Sequence, residues 1–255
     1  SQRSLRVLME AELIFCEDTR VTKKLLNLLG ERNNLDFSNK EYKSFHSHNE
    51  DKILKTLTKE TFTKNVVYVS DAGMPCVSDP GATLVEFCIQ NEIAYDVLPG
   101  ANAILTAYAM SGFAHTTFSF YGFLDHKGVS RASKLDDILN DDKLSILYES
   151  PHRLLKLLEE LSIKDANRTI FLAKEISKLH QNSYKDTALN LFEKFKDINI
   201  KGEWVVIIEP KETVGFNLDL DDILSLDIAP KIKAKLIAKM TGESIKDVYQ
   251  KLLEN

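Results

Sequence analysis

The sequence SDAGMPCVSDPG, residues 70–81, is the longest stretch of the chain without hydrophobic periodicity, and we interpret it as a loop. Residues 65–69 before it are β-branched and aromatic, which predicts a buried strand, and residues 82–89 after it have the spacing of an amphipathic helix. The loop therefore joins the carboxyl end of a strand to the start of a helix, where open α/β sheets bind ligands.

A purely structural role for this loop is the alternative. Asp79 would then cap the following helix and Pro80 would occupy its first position. Connections of this kind usually take roughly 2–6 residues, and this one is longer. Gly73 and Gly81 permit positive φ and a close approach of a ligand to the backbone. Length and glycine content together favour a binding loop.

The composition limits the class of protein. With 255 residues and 44% hydrophobic content, the chain is long enough for one large or two medium domains. A net charge of −5 means that any nucleic-acid binding must come from a local basic face. The cysteines Cys16, Cys76 and Cys88 lack the spacing of a zinc site, which is typical of reduced thiols. No apolar run is long enough for a membrane span, so we expect a soluble, cytoplasmic protein.

The periodicity divides the chain into three parts: an N-terminal α/β domain (1–112), a C-terminal α/β domain (113–210), and a linker with a small helical appendage (211–255). We predict strands at 13–16, 42–45, 93–98, 116–123, 144–148, 169–173 and 204–208, with 116–123 alternating like an antiparallel strand. Predicted helices include 4–11, one through 25–29, 50–62, 104–109, one beginning at Pro151, 186–195, and a pair divided at 241–244.

Three polar clusters each follow a predicted strand, and the ends of such strands converge on one rim of an α/β sheet. Their members are Glu17, Asp18 and Arg20; Glu149, His152 and Arg153; and Lys174 and Glu175. From the residues alone, a role of Asp18 or Thr19 as the N-cap of the following helix is favoured over a functional one. His46 and His48 alternate along the backbone, but we can name no third ligand and therefore predict no metal site.

Basic residues in 127–134 predict a mobile loop over a polyanion, with a solvated surface loop as the alternative. In the appendage, four lysines have no acidic neighbours: Lys231, Lys233, Lys235 and Lys239. They could contact the phosphates of a polyanion or form the solvated face of a packing helix.

Residues 70–81 resemble the S-D-A-G-x-P-x-x-S-D-P-G motif of the ribosomal small-subunit RNA cytidine 2′-O-methyltransferases, a branch of the tetrapyrrole methylase family. Segments 17–20, 98–101, 121–124, 148–153, 173–180 and 201–203 resemble further motifs of that branch, in the same order. The family begins with a strand and a glycine loop that we expect to be missing before Ser1.

The resemblance implies two α/β domains with a cofactor cleft between them, a homodimer, and S-adenosylmethionine as the methyl donor. It also implies that the substrate is a cytidine 2′-hydroxyl in the decoding centre of 16S ribosomal RNA, free or in the small subunit. The residues expected to bind the cofactor are Asp71, Ala72, Gly73, Val77, Ser78, Gly100, Thr106, Ala107 and Tyr148.

Methyl transfer to a hydroxyl needs alignment, and a general base adds about 10²–10⁴-fold. The catalytic candidates are Lys174, Glu175, Glu149, His152 and Asp18. The candidates for RNA contact are Glu17, Arg20, Lys127, Arg131, Lys134 and Arg153. Two alternatives stay open: a methyltransferase of the same fold that acts on a tetrapyrrole or protein substrate, and a non-catalytic RNA-binding module.

Overall fold

The computed structural model describes residues 1–211 and 219–254. Contacts between residues divide the chain into two compact units, Ser1–Pro210 and Lys211–Asn255. The predicted linker at 211–219 lies mostly outside the described residues.

The first sheet has three parallel strands in the order β2-β1-β3. They are β1 (Leu13–Cys16), β2 (Glu41–Ser44) and β3 (Val66–Val69). The central strand β1 is buried along its whole length, as expected of a parallel strand covered on both faces. The accompanying helices are α1 (Gln2–Glu10), α2 (Thr19–Asn33), α3 (Glu50–Leu54), α4 (Ala82–Gln90) and α5 (Ala103–Ser111), with a 3₁₀ helix at Lys59–Thr63.

The second sheet has five strands in the order β4-β5-β8-β6-β7. They are β4 (Phe118–Phe123), β5 (Leu144–Glu149), β6 (Thr169–Lys174), β7 (Asn182–Thr187) and β8 (Trp204–Ile208). β4 and β5 are parallel, and the other neighbouring pairs are antiparallel. The accompanying helices are α6 (Val129–Asn140), α7 (Pro151–Lys164) and α8 (Ala188–Phe195).

Alternate side chains of the second sheet enter two separate cores. Leu147, Leu172 and Val206 pack with leucines of α6 and α7 on one face. Ile146, Phe171 and Ile207 form the other core, together with Ile104 and Ala107 of α5. Because α5 follows the first sheet in the chain and packs on the second, it joins the two sheets within one unit.

The structure corrects four sequence predictions. Residues 93–98 form no strand. β4 pairs in parallel with β5 rather than antiparallel. The predicted helix 186–195 is preceded by strand β7, which runs to Thr187. The predicted loop 127–134 is largely helical, because α6 begins at Val129.

The C-terminal unit contains three described helices, α9 (Leu220–Ser225), α10 (Pro230–Thr241) and α11 (Ile245–Glu254). Ile223, Ala234, Ile237, Ala238 and Val248 form its core. Within the described parts of the chain, no helix has both the length and the apolar character needed to cross a membrane.

Candidate active site

A cavity of about 340 Å³ lies where the loop after β3 meets the ends of β5 and β8. Ligand pockets in proteins occupy roughly 300–1,000 Å³, so it is large enough for a small cofactor. The lining residues are 72–74, 77–79, 101–103, 123, 148–151, 176, 178 and 203–205.

The loop at 70–81 forms one wall with an unusual backbone. Gly73 and Gly81 have φ of +82° and +124°, as the sequence predicted, and Cys76 and Ser78 also have positive φ. A Cβ at Gly81 would lie 2.6 Å from the ring of Tyr68, so no side chain fits there. The N-cap of α4 is Gly81 rather than Asp79, which removes the capping explanation for Asp79.

Residues after β1 hold the start of this loop. The Asp71 N–H donates to Glu17 Oε1 over 3.0 Å, and the Asp18 N–H donates to Asp71 Oδ1 over 3.3 Å. Asp18 also caps α2 and binds the Arg20 guanidinium, and these hydrogen bonds lower the pKa of Asp18 to about 2. The Glu17–Asp18 cluster is therefore joined to the binding loop, as the convergence of strand ends predicts.

Asp79 is the carboxylate of this wall with the most perturbed environment. Burial, reinforced by the nearby charges of Glu17 and Asp71, raises the pKa of Asp79 to about 6. Among the described residues, no cation lies within ion-pair distance of Asp79.

The opposite wall is aromatic, with a buried carboxylate behind it. The ring of Tyr148 lies 5.5 Å from that of Phe123 and 5.2 Å from that of Phe120. Glu149 is 1% exposed, and burial raises the pKa of its carboxyl group although it binds Arg153.

A third side of the cavity contains Lys178, which binds Glu175 over 3.0 Å and Glu203 over 2.8 Å. The Glu203 N–H and Lys178 lower the pKa of Glu175. The ammonium of Lys174 lies 5.8 Å from the ring centroid of Trp204, a residue of the cavity lining.

The structure places the predicted cofactor residues as follows. Ala72, Gly73, Val77, Ser78 and Tyr148 line the cavity, whereas Asp71, Gly100, Thr106 and Ala107 do not. Ala107 is fully buried, because it packs against the second sheet.

The catalytic candidates lie in or beside the lining. Glu149 is part of it, His152 follows its residue Pro151, and Lys174 and Glu175 contact Trp204 and Glu203. Asp18 reaches the binding loop through Asp71. Of the five catalytic candidates, the structure thus places only Glu149 in the lining itself.

The structure does not support the RNA contact predicted for Arg131. Arg131 is 2% exposed, and its guanidinium binds Glu160 over 2.7 Å, so it is not available to a phosphate at the surface. The side chain of Arg153 is only 14% exposed and binds Glu149.

The other residues predicted to contact RNA differ in exposure. Lys134 is half-buried and donates to the Tyr121 carbonyl, and Glu17 is half-buried beside Asp71. Lys127 and Arg20 are exposed.

Sequence reasoning missed several members of the lining: Asp79, Phe123, Pro151, Ile176, Lys178, Glu203, Trp204 and Val205. Asp79 was interpreted only as a possible cap. A search for carboxylates within the glycine loop itself would have found it.

His46 and His48 do lie together, with ring centroids 5.9 Å apart, and the His48 N–H donates to His46 Nδ1. No group of three or more potential metal ligands occurs among the residues that the structure describes.

Comparison with known proteins gives consistent results. The family model described as Tetrapyrrole (Corrin/Porphyrin) Methylases matches residues 1–191. A protein of Campylobacter fetus named "Ribosomal RNA small subunit methyltransferase I" is 44% identical, with 99% of this chain and 94% of the relative covered. A Helicobacter pylori protein of the same name is 41% identical, with 99% of this chain and 93% of the relative covered.

Solved structures share the fold at low sequence identity. The cobalt precorrin-4 methyltransferase CbiF superposes with a TM-score of 0.57 at 15% identity, covering 82% of this chain and 88% of that one. A Thermus thermophilus uroporphyrin-III C-methyl transferase complexed with S-adenyl homocysteine has a TM-score of 0.53 at 14% identity. The match covers 81% of this chain and 90% of the transferase chain.

Proposed function

The chain belongs to the tetrapyrrole methylase family, and on that premise we propose that it methylates a cytidine ribose 2′-hydroxyl in the decoding centre of 16S ribosomal RNA, with S-adenosylmethionine as donor. The RNA substrate is supported by relatives named as ribosomal RNA small subunit methyltransferases at 41–44% identity. We propose on the same ground that the protein acts in the cytoplasm.

The cavity carries the proposal, because its lining fits the donor. S-adenosylmethionine supplies a methyl group on a positively charged sulfonium. Asp79 offers a carboxylate to that charge, and the faces of Phe123, Tyr148 and Trp204 suit an adenine ring or a cation. The exposed backbone around Gly73 offers hydrogen-bonding groups to the polar ends of the molecule.

We assign the handling of the proton to residues next to the lining. His152 is exposed at the start of α7 and would accept the proton of the ribose hydroxyl. The ammonium of Lys174 would favour the developing alkoxide. Alignment by the cavity walls supplies the larger share of the acceleration, on the order of 7–11 kcal/mol.

A homodimer is a further part of this proposal. Val21, Leu25 and Leu28 recur on one face of α2, and each is 42–43% exposed. Such a spacing gives an apolar stripe suited to helix packing. Leu25→Lys should then yield a monomer in sedimentation analysis.

The decisive experiment is incubation with labelled S-adenosylmethionine and small ribosomal subunits that lack the modification. Label should enter the RNA at one cytidine, and the adjoining phosphodiester bond should resist alkali because its 2′-hydroxyl is blocked. His152→Ala and Lys174→Ala should lower turnover while the affinity for S-adenosylmethionine stays unchanged. Donor binding without transfer to RNA, or label on another substrate, would contradict the proposal.

A further inference from the structure

Two consecutive carbonyls after β4 are each held by a guanidinium group. Arg153 Nη1 donates to the Leu124 carbonyl over 2.8 Å, and Arg131 Nη1 donates to the Asp125 carbonyl over 2.9 Å. These residues directly follow Phe123, which lines the cavity. The position of that wall therefore depends on two arginines.

The carboxylate of Glu149 lies between the same two arginines. Its Oε1 accepts hydrogen bonds from Arg153 Nη2 and the Ser150 N–H, each over 2.8 Å. Its Oε2 lies 3.9 Å from Arg131 Nη1. Because Tyr148 and Ser150 flank Glu149 and line the cavity, one buried carboxylate connects the two segments of chain that carry Phe123 and Tyr148.

The arginines are themselves fixed. Glu160 accepts from Arg131 Nε over 3.0 Å and from Arg131 Nη2 over 2.7 Å. The guanidinium of Arg153 lies 6.0 Å from the ring centroid of Phe123. Buried ion pairs contribute little net stability compared with apolar residues of the same size, so a role in fixing one conformation is the better explanation here.

We propose that Arg131, Glu149 and Arg153 form a clamp that fixes the spacing of Phe123 and Tyr148 across the cavity. Arg131 is then a positioning residue for the ligand, although it lies outside the lining. The inference rests on the proposed function only for the identity of that ligand, S-adenosylmethionine.

The test replaces Arg131 by lysine, which keeps the charge but cannot reach two partners as a planar guanidinium does. We expect calorimetry to show an affinity for S-adenosylmethionine about tenfold lower, because small displacements of a binding wall have large effects. In the ligand-free protein, the nuclear Overhauser contact between the rings of Phe123 and Tyr148 should weaken or vanish.

Arg168 supplies a matched control. It is 8% exposed, binds Asp165, and donates to the carbonyls of Leu139 and Glu209, but it does not line the cavity. Arg168→Lys should lower the melting temperature to a similar extent, with the affinity changed less than about twofold and the ring contact intact.

Glu160→Gln is the second variant, in case Arg131→Lys does not fold. The side chain of Glu160 is 26% exposed, so its replacement is better tolerated, and the affinity should fall in the same direction. The inference is overturned if a folded Arg131→Lys or Glu160→Gln variant keeps the Phe123–Tyr148 contact, whether or not S-adenosylmethionine binds. Absence of donor binding by the unmodified protein would instead refute the proposed function.

Discussion

The loop at residues 72–79 and the strand end at residues 148–151 line the same cavity, but their construction differs. In the first, Ala72, Gly73 and Ser78 are exposed, and Gly73 and Ser78 have positive φ. In the second, Glu149 is buried and its side chain is bound by arginines. One wall therefore offers backbone to a ligand while the other fixes side chains, so substitutions should affect the two walls by different mechanisms.

The largest loss of stability is expected for Glu149→Ala. The substitution leaves Arg131 and Arg153 without their shared carboxylate, and breaking a buried pair in this way costs about 3–5 kcal/mol of unfolding free energy. Urea denaturation measures this loss of unfolding free energy. Glu193→Ala is the control, because its ion pair with Lys196 is exposed and the loss should stay below about 1 kcal/mol. Equal losses would mean that Glu149 does not hold the wall together.

Gly81→Ala tests the loop wall. The added Cβ would lie 2.6 Å from Tyr68, at a φ of +124°. We expect a loss of about 1–3 kcal/mol beyond that of Gly112→Ala, measured by thermal unfolding. Gly112 also has positive φ, at +63°, and no atom of the described residues lies within 4 Å of an added Cβ, so it reports the cost of a left-handed backbone without a clash. Similar losses in both variants would show that the loop accommodates the side chain.

Asp79→Asn should change how stability depends on pH. The pKa of Asp79 is about 6 in the folded protein against an ordinary value of 3.8. Ionised Asp79 therefore destabilises the fold above pH 6, and this destabilisation is relieved as the pH falls from about 6 to about 4. The variant should be the more stable protein at pH 8 and lose that advantage by pH 4.

Asp186→Asn is the control for this pH dependence, because Asn190 and the Thr187 N–H lower the pKa of Asp186. The effect of ionisation on stability has the opposite sign here. Ionised Asp186 stabilises the fold, so the variant should be the less stable protein at pH 8. Melting temperatures measured between pH 4 and pH 8 test both expectations. A pH-independent difference between Asp79→Asn and the unmodified protein would contradict the raised pKa of Asp79.

The smallest effect is expected at Lys127, which lies two residues beyond the clamped carbonyl of Asp125 and is exposed. If it contacts one phosphate, Lys127→Ala should reduce the slope of log affinity for RNA against log salt by at most about 0.9. Lys52→Ala, at an exposed site on α3, should leave the slope unchanged. An unaltered slope for Lys127→Ala would restrict any RNA contact to other residues.

The two walls of the cavity also differ in how far the sequence predicts them. The loop at 70–81 was found because its composition is local: glycines, prolines and aspartates in one segment predict a turn without knowledge of the fold. The resemblance to the tetrapyrrole methylases and the α/β class are confirmed by the family match and the structural neighbours. The predicted domain boundary at residue 112 stays a prediction.

Features that depend on tertiary partners were missed. Arg131 is indistinguishable in sequence from a surface arginine, and only the fold brings Glu149 and Glu160 to it. The edge strand β7 (Asn182–Thr187) has Tyr184 as its one residue packed on the core and is otherwise polar, so no alternation marks it. Residues 93–98 have strand-like composition, but a strand requires a neighbour with which to pair.

The carboxylate of Asp79, which has no cation partner in the described part of the chain, bears on how a reaction cycle would end. Transfer of the methyl group converts the sulfonium of the donor into a neutral thioether, so the spent molecule carries one positive charge less than the fresh one. A wall with uncompensated negative charge attracts the spent molecule less strongly. Electrostatics at Asp79 would thus favour release of the by-product and its exchange for fresh donor, lessening product inhibition.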